Sequence, residues 1–193
     1  MERSSIDGKF IPVGKQYVGT QPGAPAFQSK KMKQLLIEQF TACFDKNTWF
    51  VALKNTLEGV TANEALWKPE GSDNSIWETV SHLNYYNFAY VERFKGIDYQ
   101  YPADDNDATF SAGEAMGEAW SAEIVRLDAI MNEFRDLIRN AADSKFDEPV
   151  SETNKASWAT LISNINAHNA YHAGQILLLR KLQGSWDRSK GVS

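Results

Sequence analysis

One cysteine, three histidines and no long apolar run set the first limits on this 193-residue chain. With Cys43 alone, an internal disulfide is impossible and a site built from several thiolates is excluded. That usage fits a reducing compartment. No stretch nears the roughly 18 apolar residues that a membrane span needs. The segment Met1 to Gly8 also lacks the charged-then-apolar order of a signal peptide. The expectation is a cytoplasmic protein without a membrane partner. Basic residues are in deficit, 20 Lys and Arg against 25 Asp and Glu, so no cationic stripe is available to neutralise phosphates. Nucleic acid is therefore not the expected partner. The length suits one well-buried domain.

What is present is helical punctuation. Residues 1–28 hold Gly8, Pro12, Gly14, Gly19, Pro22, Gly23 and Pro25, too many breakers for a helix, yet also Phe10, Ile11, Tyr17 and Phe27. They read as an extended arm packed on this subunit or a neighbour, or as a flexible leader. Four amphipathic stretches follow. The first, over about 29–58, carries Leu36, Phe40, Cys43, Phe50, Leu53 and Leu57 and stops at Gly59. The second opens on the capping box Ser75-Ile-Trp-Glu78 and ends at Gly96. The third opens on Ser111-Ala-Gly-Glu114 and shows the cleanest stripe, from Met116 through Trp120, Leu127, Met131 and Phe134 to Ile138. The fourth runs from about Ser157 through Ile165 and Leu179, with Arg180 and Lys181 at its negative end and Gly184 closing it. With no strand pattern in view, the fold class is all-α, a four-helix bundle spanning 29–185, followed by a tail over 186–193. The connections 60–74, 97–110 and 143–156 are long enough to cover one end of the bundle or cross it.

His168 and His172 lie four residues apart and both fall inside the apolar stripe of the fourth helix. Unpaired, two buried imidazoles would each cost about 1–3 kcal/mol per lost hydrogen bond. They are either core histidines bonded to backbone or tyrosine, or ligands to a metal that satisfies both. A third nitrogen would complete a three-histidine site with room for water. His82, the one histidine left, falls at the edge of the second helix's stripe, so periodicity allows a boundary residue as readily as a ligand. Other metal patterns fail. Paired Glu-x-x-His and His-Glu-x-x-His motifs are absent, and Asp104-Asp-Asn-Asp107 lacks an EF-hand's glycine and bidentate glutamate. That loop reads as a solvated turn.

Two segments carry a family resemblance. Trp67-Lys-Pro69, Asn74-Ser-Ile-Trp-Glu78 and His82-Leu83 resemble the entry to the second helix of the DinB-like (YfiT-like) superfamily. His168-Asn-Ala-Tyr-His172-Ala-Gly-Gln-Ile resembles that superfamily's fourth helix, with its H-x-x-x-H hallmark. The resemblance runs from about Gln28 to Ser185. It implies a bundle with a long crossing connection between the second and third helices. It also implies a divalent metal, zinc or nickel, held by His82, His168 and His172. Some relatives resemble thiol S-transferases that use a low-molecular-weight thiol such as bacillithiol or mycothiol, and others resemble metal-dependent hydrolases. Dimerisation through bundle faces is a further implication, with 1–28 as a clasp. The alternative is a non-catalytic, dimerising bundle that the metal staples.

Around the histidines, Glu78, Tyr86, Asn169, Tyr171 and Gln175 are the polar groups within a helical turn or so. Glu78 is placed to orient His82 or act as a general base, or serves only its capping box with Ser75. Tyr86, one turn after His82, is a candidate donor to a bound oxygen, or a half-buried aromatic. Gln175 is polar beside the stripe. Tyr171 points toward another helix or a partner subunit. One or two tryptophans at the mouth would suit an apolar small-molecule substrate.

Overall fold

The computed structural model of the chain describes residues 26–102, 105–112 and 118–191. The expected arm over 1–28 lies almost wholly outside the described residues, as do Glu114 of the third capping box and Met116. Four long helices, α1 (Ala26–Phe44), α4 (Ile76–Phe94), α5 (Glu118–Asn140) and α6 (Trp158–Leu182), form the bundle. Two short ones, α2 (Leu53–Leu57) and α3 (Ala62–Leu66), lie between α1 and α4. Each long helix packs on two others, in the cyclic order α1, α6, α4, α5. Among the described residues there is no strand, only an isolated bridge between Pro149 and Ser157.

Helix ends follow local chemistry. Ser75 Oγ accepts the Glu78 N–H and Glu78 accepts the Ser75 N–H at 2.7 Å, a closed capping box that starts α4. Gly96, at φ +89°, turns the chain after its last turn. Ser157 caps α6 through the Thr160 N–H, and Gly184, at φ +77°, follows its end.

The first helix is shorter than its periodicity predicts. It stops at Phe44, and residues 45–52 leave helical geometry before α2. Asn47 drives the break: its Oδ1 accepts the Ala52 N–H at 3.0 Å and the Asn55 amide at 2.7 Å. This side chain does for the loop what a carbonyl would do in a helix. The detour buries Val51, Ala52 and Leu53 in succession, which one helix face cannot do, and leaves Trp49 94% exposed. The connection expected over 60–74 contains α3, started by a second closed capping box between Thr61 and Glu64.

The core is aromatic at its centre. Phe40 packs edge-on against Phe44 and Phe134, and Phe94 against Phe134 and Trp158. Trp77 lies 5.3 Å from Trp120, whose indole N–H donates to the Val60 carbonyl at 2.8 Å. Arg180 is buried, not a solvated charge at a helix end. Its guanidinium donates to the carbonyls of Thr56, Glu58 and Ser185 at 2.8–3.0 Å and lies over the Trp186 ring. It thereby ties α6 to the end of α2 and to the chain beyond the bundle.

One polar pair fixes how α4 meets α6. Asn87 and Asn169, both buried, exchange amide hydrogen bonds at 3.0 and 3.2 Å. A reciprocal bond of this kind tolerates no slide of one helix along the other without orphaning buried donors. It holds the turn of α4 that carries His82 beside the turn of α6 that carries His168 and His172.

Candidate metal centre

The α4–α6 register brings all three histidines together. His168 Nε2 lies 3.1 Å from His82 Nε2 and 3.0 Å from His172 Nε2. One nitrogen from each ring falls within 4.8 Å of the others, a cluster able to hold a metal ion. His82 and His172 are buried and His168 is half-buried. His82, placed at the stripe's edge by periodicity, is 3% exposed because Phe110 stacks on its ring face at 4.0 Å.

The outer nitrogens decide which inner ones carry protons. His172 Nδ1 lies 2.6 Å from Gln175 Oε1, and the Gln175 amide nitrogen donates to the Tyr171 hydroxyl at 3.0 Å. A carbonyl oxygen only accepts, so His172 must hold its proton on Nδ1. His82 Nδ1 lies 2.7 Å from Thr109 Oγ1, whose own proton goes to the Asn106 carbonyl at 2.6 Å. Thr109 therefore accepts from His82 Nδ1–H. Both neutral rings then present a bare Nε2 lone pair to His168.

Three converging nitrogens cannot satisfy one another in this state. A single N–H on His168 Nε2 answers one of its two neighbours and leaves the other facing it unpaired. A cation beyond the three nitrogens resolves the conflict. Ligands about 2.0–2.1 Å from a tetrahedral zinc sit roughly 3.3 Å apart, close to the two separations from His168 Nε2, with all three nitrogens within 4.8 Å. Protonation does not compete near neutrality. Burial, then the neighbouring His172 and His168, push the His82 pKa down to about 3. Burial and His172 bring His168 to about 4, and burial also lowers His172 against the opposing Gln175 hydrogen bond. A donor set of three imidazoles fits a divalent transition-metal ion.

The cluster forms the floor of a cleft of about 870 Å³. Tyr86, Tyr90, Phe110 and Tyr171 provide its aromatic surface. No indole lines it among the described residues, so the tryptophan mouth expected from the sequence is built from tyrosine and phenylalanine instead. Tyr86 sits 4.8 Å from His82, ring to ring, and donates to Asn106 Oδ1 at 3.2 Å. Burial, with Tyr101 and Tyr85 nearby, raises its pKa and keeps it a proton donor. Glu78 lines the cleft, but its oxygens are engaged by the Ser75 N–H and by the Lys68 ammonium at 2.7–2.8 Å. Burial raises the Glu78 carboxyl, and those hydrogen bonds outweigh it and hold it below the usual range. Gln175 reaches the cleft while holding His172. Tyr171, expected to face a helix or partner, is 63% exposed at the mouth. Asn169 is withdrawn into its pair with Asn87.

Thr109 and Phe110 went unread in the sequence, and Asn106 was read only as part of a solvated turn. They belong to the α4–α5 connection, marked in the sequence by its length, its acidic run and the crossing that the resemblance implies. A short 3-10 turn, Asp107–Thr109, folds this connection back onto α4, so the run read as a solvated turn supplies a wall of the site.

No curated protein and no solved structure matches the chain. A family model described as the DinB superfamily matches residues 48–176, about two thirds of the chain and inclusive of all three histidines. With the helical bundle and the gathered histidines in place, the chain belongs to the DinB superfamily.

Proposed function

We propose that His82, His168 and His172 bind one divalent metal, zinc or nickel, and that the chain is a metal-dependent enzyme acting on a small molecule. The observation that carries this reading is the convergence of bare Nε2 lone pairs on the floor of a cleft open to solvent. A metal serving only as a staple would suit a closed site, whereas this cleft leaves space beside the three nitrogens for a further ligand. Such a metal, when bound, lowers the pKa of a bound water toward 7 or holds a thiol as its thiolate. The two activities in view are thiol S-transfer with a low-molecular-weight thiol and hydrolysis of a small substrate.

The chain's own residues then have separable tasks. Thr109 and Gln175 hold protons on the outer nitrogens of His82 and His172, so that the inner ones face the cleft. Phe110 covers the His82 ring and keeps water off it. Tyr86 offers its hydroxyl proton to a substrate oxygen once it turns from Asn106. Glu78 keeps α4 started and Lys68 anchored at the rim, and abstracts a proton only if Lys68 releases it. Homodimer formation belongs to the same reading. Tyr171, Leu178 and Leu182 recur on α6, each more than half exposed, and the test is sedimentation against the 21.7 kDa chain mass.

Elemental analysis after metal loading tests the centre. About one equivalent is expected in wild type, and less than about a tenth in His168→Ala. A metal-dependent rate with bacillithiol or mycothiol and monobromobimane would support transfer. A wild type that holds no metal would end the reading.

A further inference from the structure

The charges around the cleft select among small molecules. Asp73, on the α3–α4 connection, and Asp107, in the 3-10 turn of the α4–α5 connection, stand on two different walls. Both are exposed, and neither forms an ion pair among the described residues. Glu78 also lines the cleft, with its charge answered by Lys68. No lysine or arginine lines the cleft itself among the described residues. Lys68, at the rim, commits its ammonium to the Glu78 carboxylate and to the Asp73 backbone carbonyl at 3.1 Å. The nearby Arg93 is committed elsewhere, donating to the Tyr99 carbonyl and the Tyr101 hydroxyl. The remaining surface is largely aromatic, and aromatic faces beside carboxylates attract organic cations.

We propose that this cleft receives a small molecule with a cationic group at the mouth, between Asp73 and Asp107, and a metal-binding donor such as a thiol at the histidine floor. A thiol carrying free carboxylates meets two like charges, and the one cation at the rim, Lys68, is already paired with Glu78. A quaternary or primary ammonium meets two carboxylates and the rings of Tyr86, Tyr90 and Tyr171. The donor end of the proposal rests on the metal reading above, and the cationic end rests on the cleft lining.

Cobalt-loaded protein titrated with three small thiols, followed by cobalt absorption, tests it. Thiocholine is cationic, 2-mercaptoethanol neutral and 3-mercaptopropionate anionic. Each ligand is compared between wild type and Asp73→Asn/Asp107→Asn, which cancels differences in thiol acidity. The double variant should bind thiocholine about tenfold more weakly, 2-mercaptoethanol within about twofold of wild type, and 3-mercaptopropionate a few-fold more tightly. In wild type, added salt should weaken thiocholine and strengthen 3-mercaptopropionate, a readout that needs no variant. Thiocholine affinity indifferent to both the substitutions and salt would overturn the proposal and leave the metal reading standing. Failure of wild type to bind cobalt would remove the metal reading, and this proposal with it.

Discussion

Replacing Thr109 with valine removes one atom's function and almost no volume. In the wild type, Thr109 Oγ1 accepts the His82 Nδ1 proton at 2.7 Å inside a buried contact. Valine leaves that proton two outcomes. If it stays, a buried N–H goes unpaired at a cost of about 1–3 kcal/mol. If it moves, His82 becomes the Nε2–H tautomer and places a hydrogen where a ligand's lone pair is needed. Metal binding must then reverse the tautomer and meet the same cost. The first route costs folding stability in the metal-free and metal-bound states alike; the second weakens metal affinity, at 1.4 kcal/mol per tenfold, by about 10- to 100-fold, the usual size of such a second layer of hydrogen bonds. Thr109→Ser keeps the accepting oxygen and should stay within a few-fold of wild type. Competition against a chelator of known affinity gives the constants, and nitrogen-15 shifts of His82 in the metal-free protein report its tautomer. A Thr109→Val protein with wild-type affinity, an unchanged tautomer and undiminished stability in urea unfolding would refute the reasoning.

Three further outcomes follow from the same geometry. The metal-free protein should lose stability as pH falls below about 6.5: His82 and His168 hold their folded pKa values near 3 and 4, so the unfolded chain takes up more protons throughout that window. At pH 5 each contributes about 2 kcal/mol of destabilisation, and urea titrations should show a shallower acid slope for His82→Ala, while an equal slope would contradict the buried neutral ring. Arg180→Met should cost about 3 kcal/mol in urea unfolding, because up to three carbonyls lose their donor, and a loss below about 1 kcal/mol would show that water replaces it. Asn87→Leu should cost about 2 kcal/mol by orphaning Asn169, with Asn87→Leu/Asn169→Leu less damaged than the sum of the two single changes, and strict additivity would deny their coupling.

Legibility in the sequence tracked the range of the interaction. The Ser75–Glu78 box, the stripe of α5 from Leu127 to Ile138 and the cap at Ser157 are contacts within one or two turns, and each occurs where periodicity and capping place it. Thr61-x-x-Glu64 was equally readable as the same signature, and α3 went unread there because a five-residue helix carries too little periodicity to stand out. The early end of α1 was harder. Its apolar spacing continues through Phe50 and Leu53, and Asn47 breaks the helix through bonds to Ala52 and Asn55 that no repeat announces.

For the centre, the sequence by itself determined that His168 and His172 share one face of one helix, because four residues make a turn. It also determined that a chain with one cysteine, and without the carboxylate motifs of di-iron or EF-hand sites, had histidine as its candidate metal donor. Only the tertiary structure decided that His82 joins them. Its burial depends on Phe110, its tautomer on Thr109, and its position on the Asn87–Asn169 pair, each a contact between segments far apart in the chain. A helical repeat records which side of its own axis a residue faces. Which neighbour fills the space beyond that side is set by packing across the whole bundle.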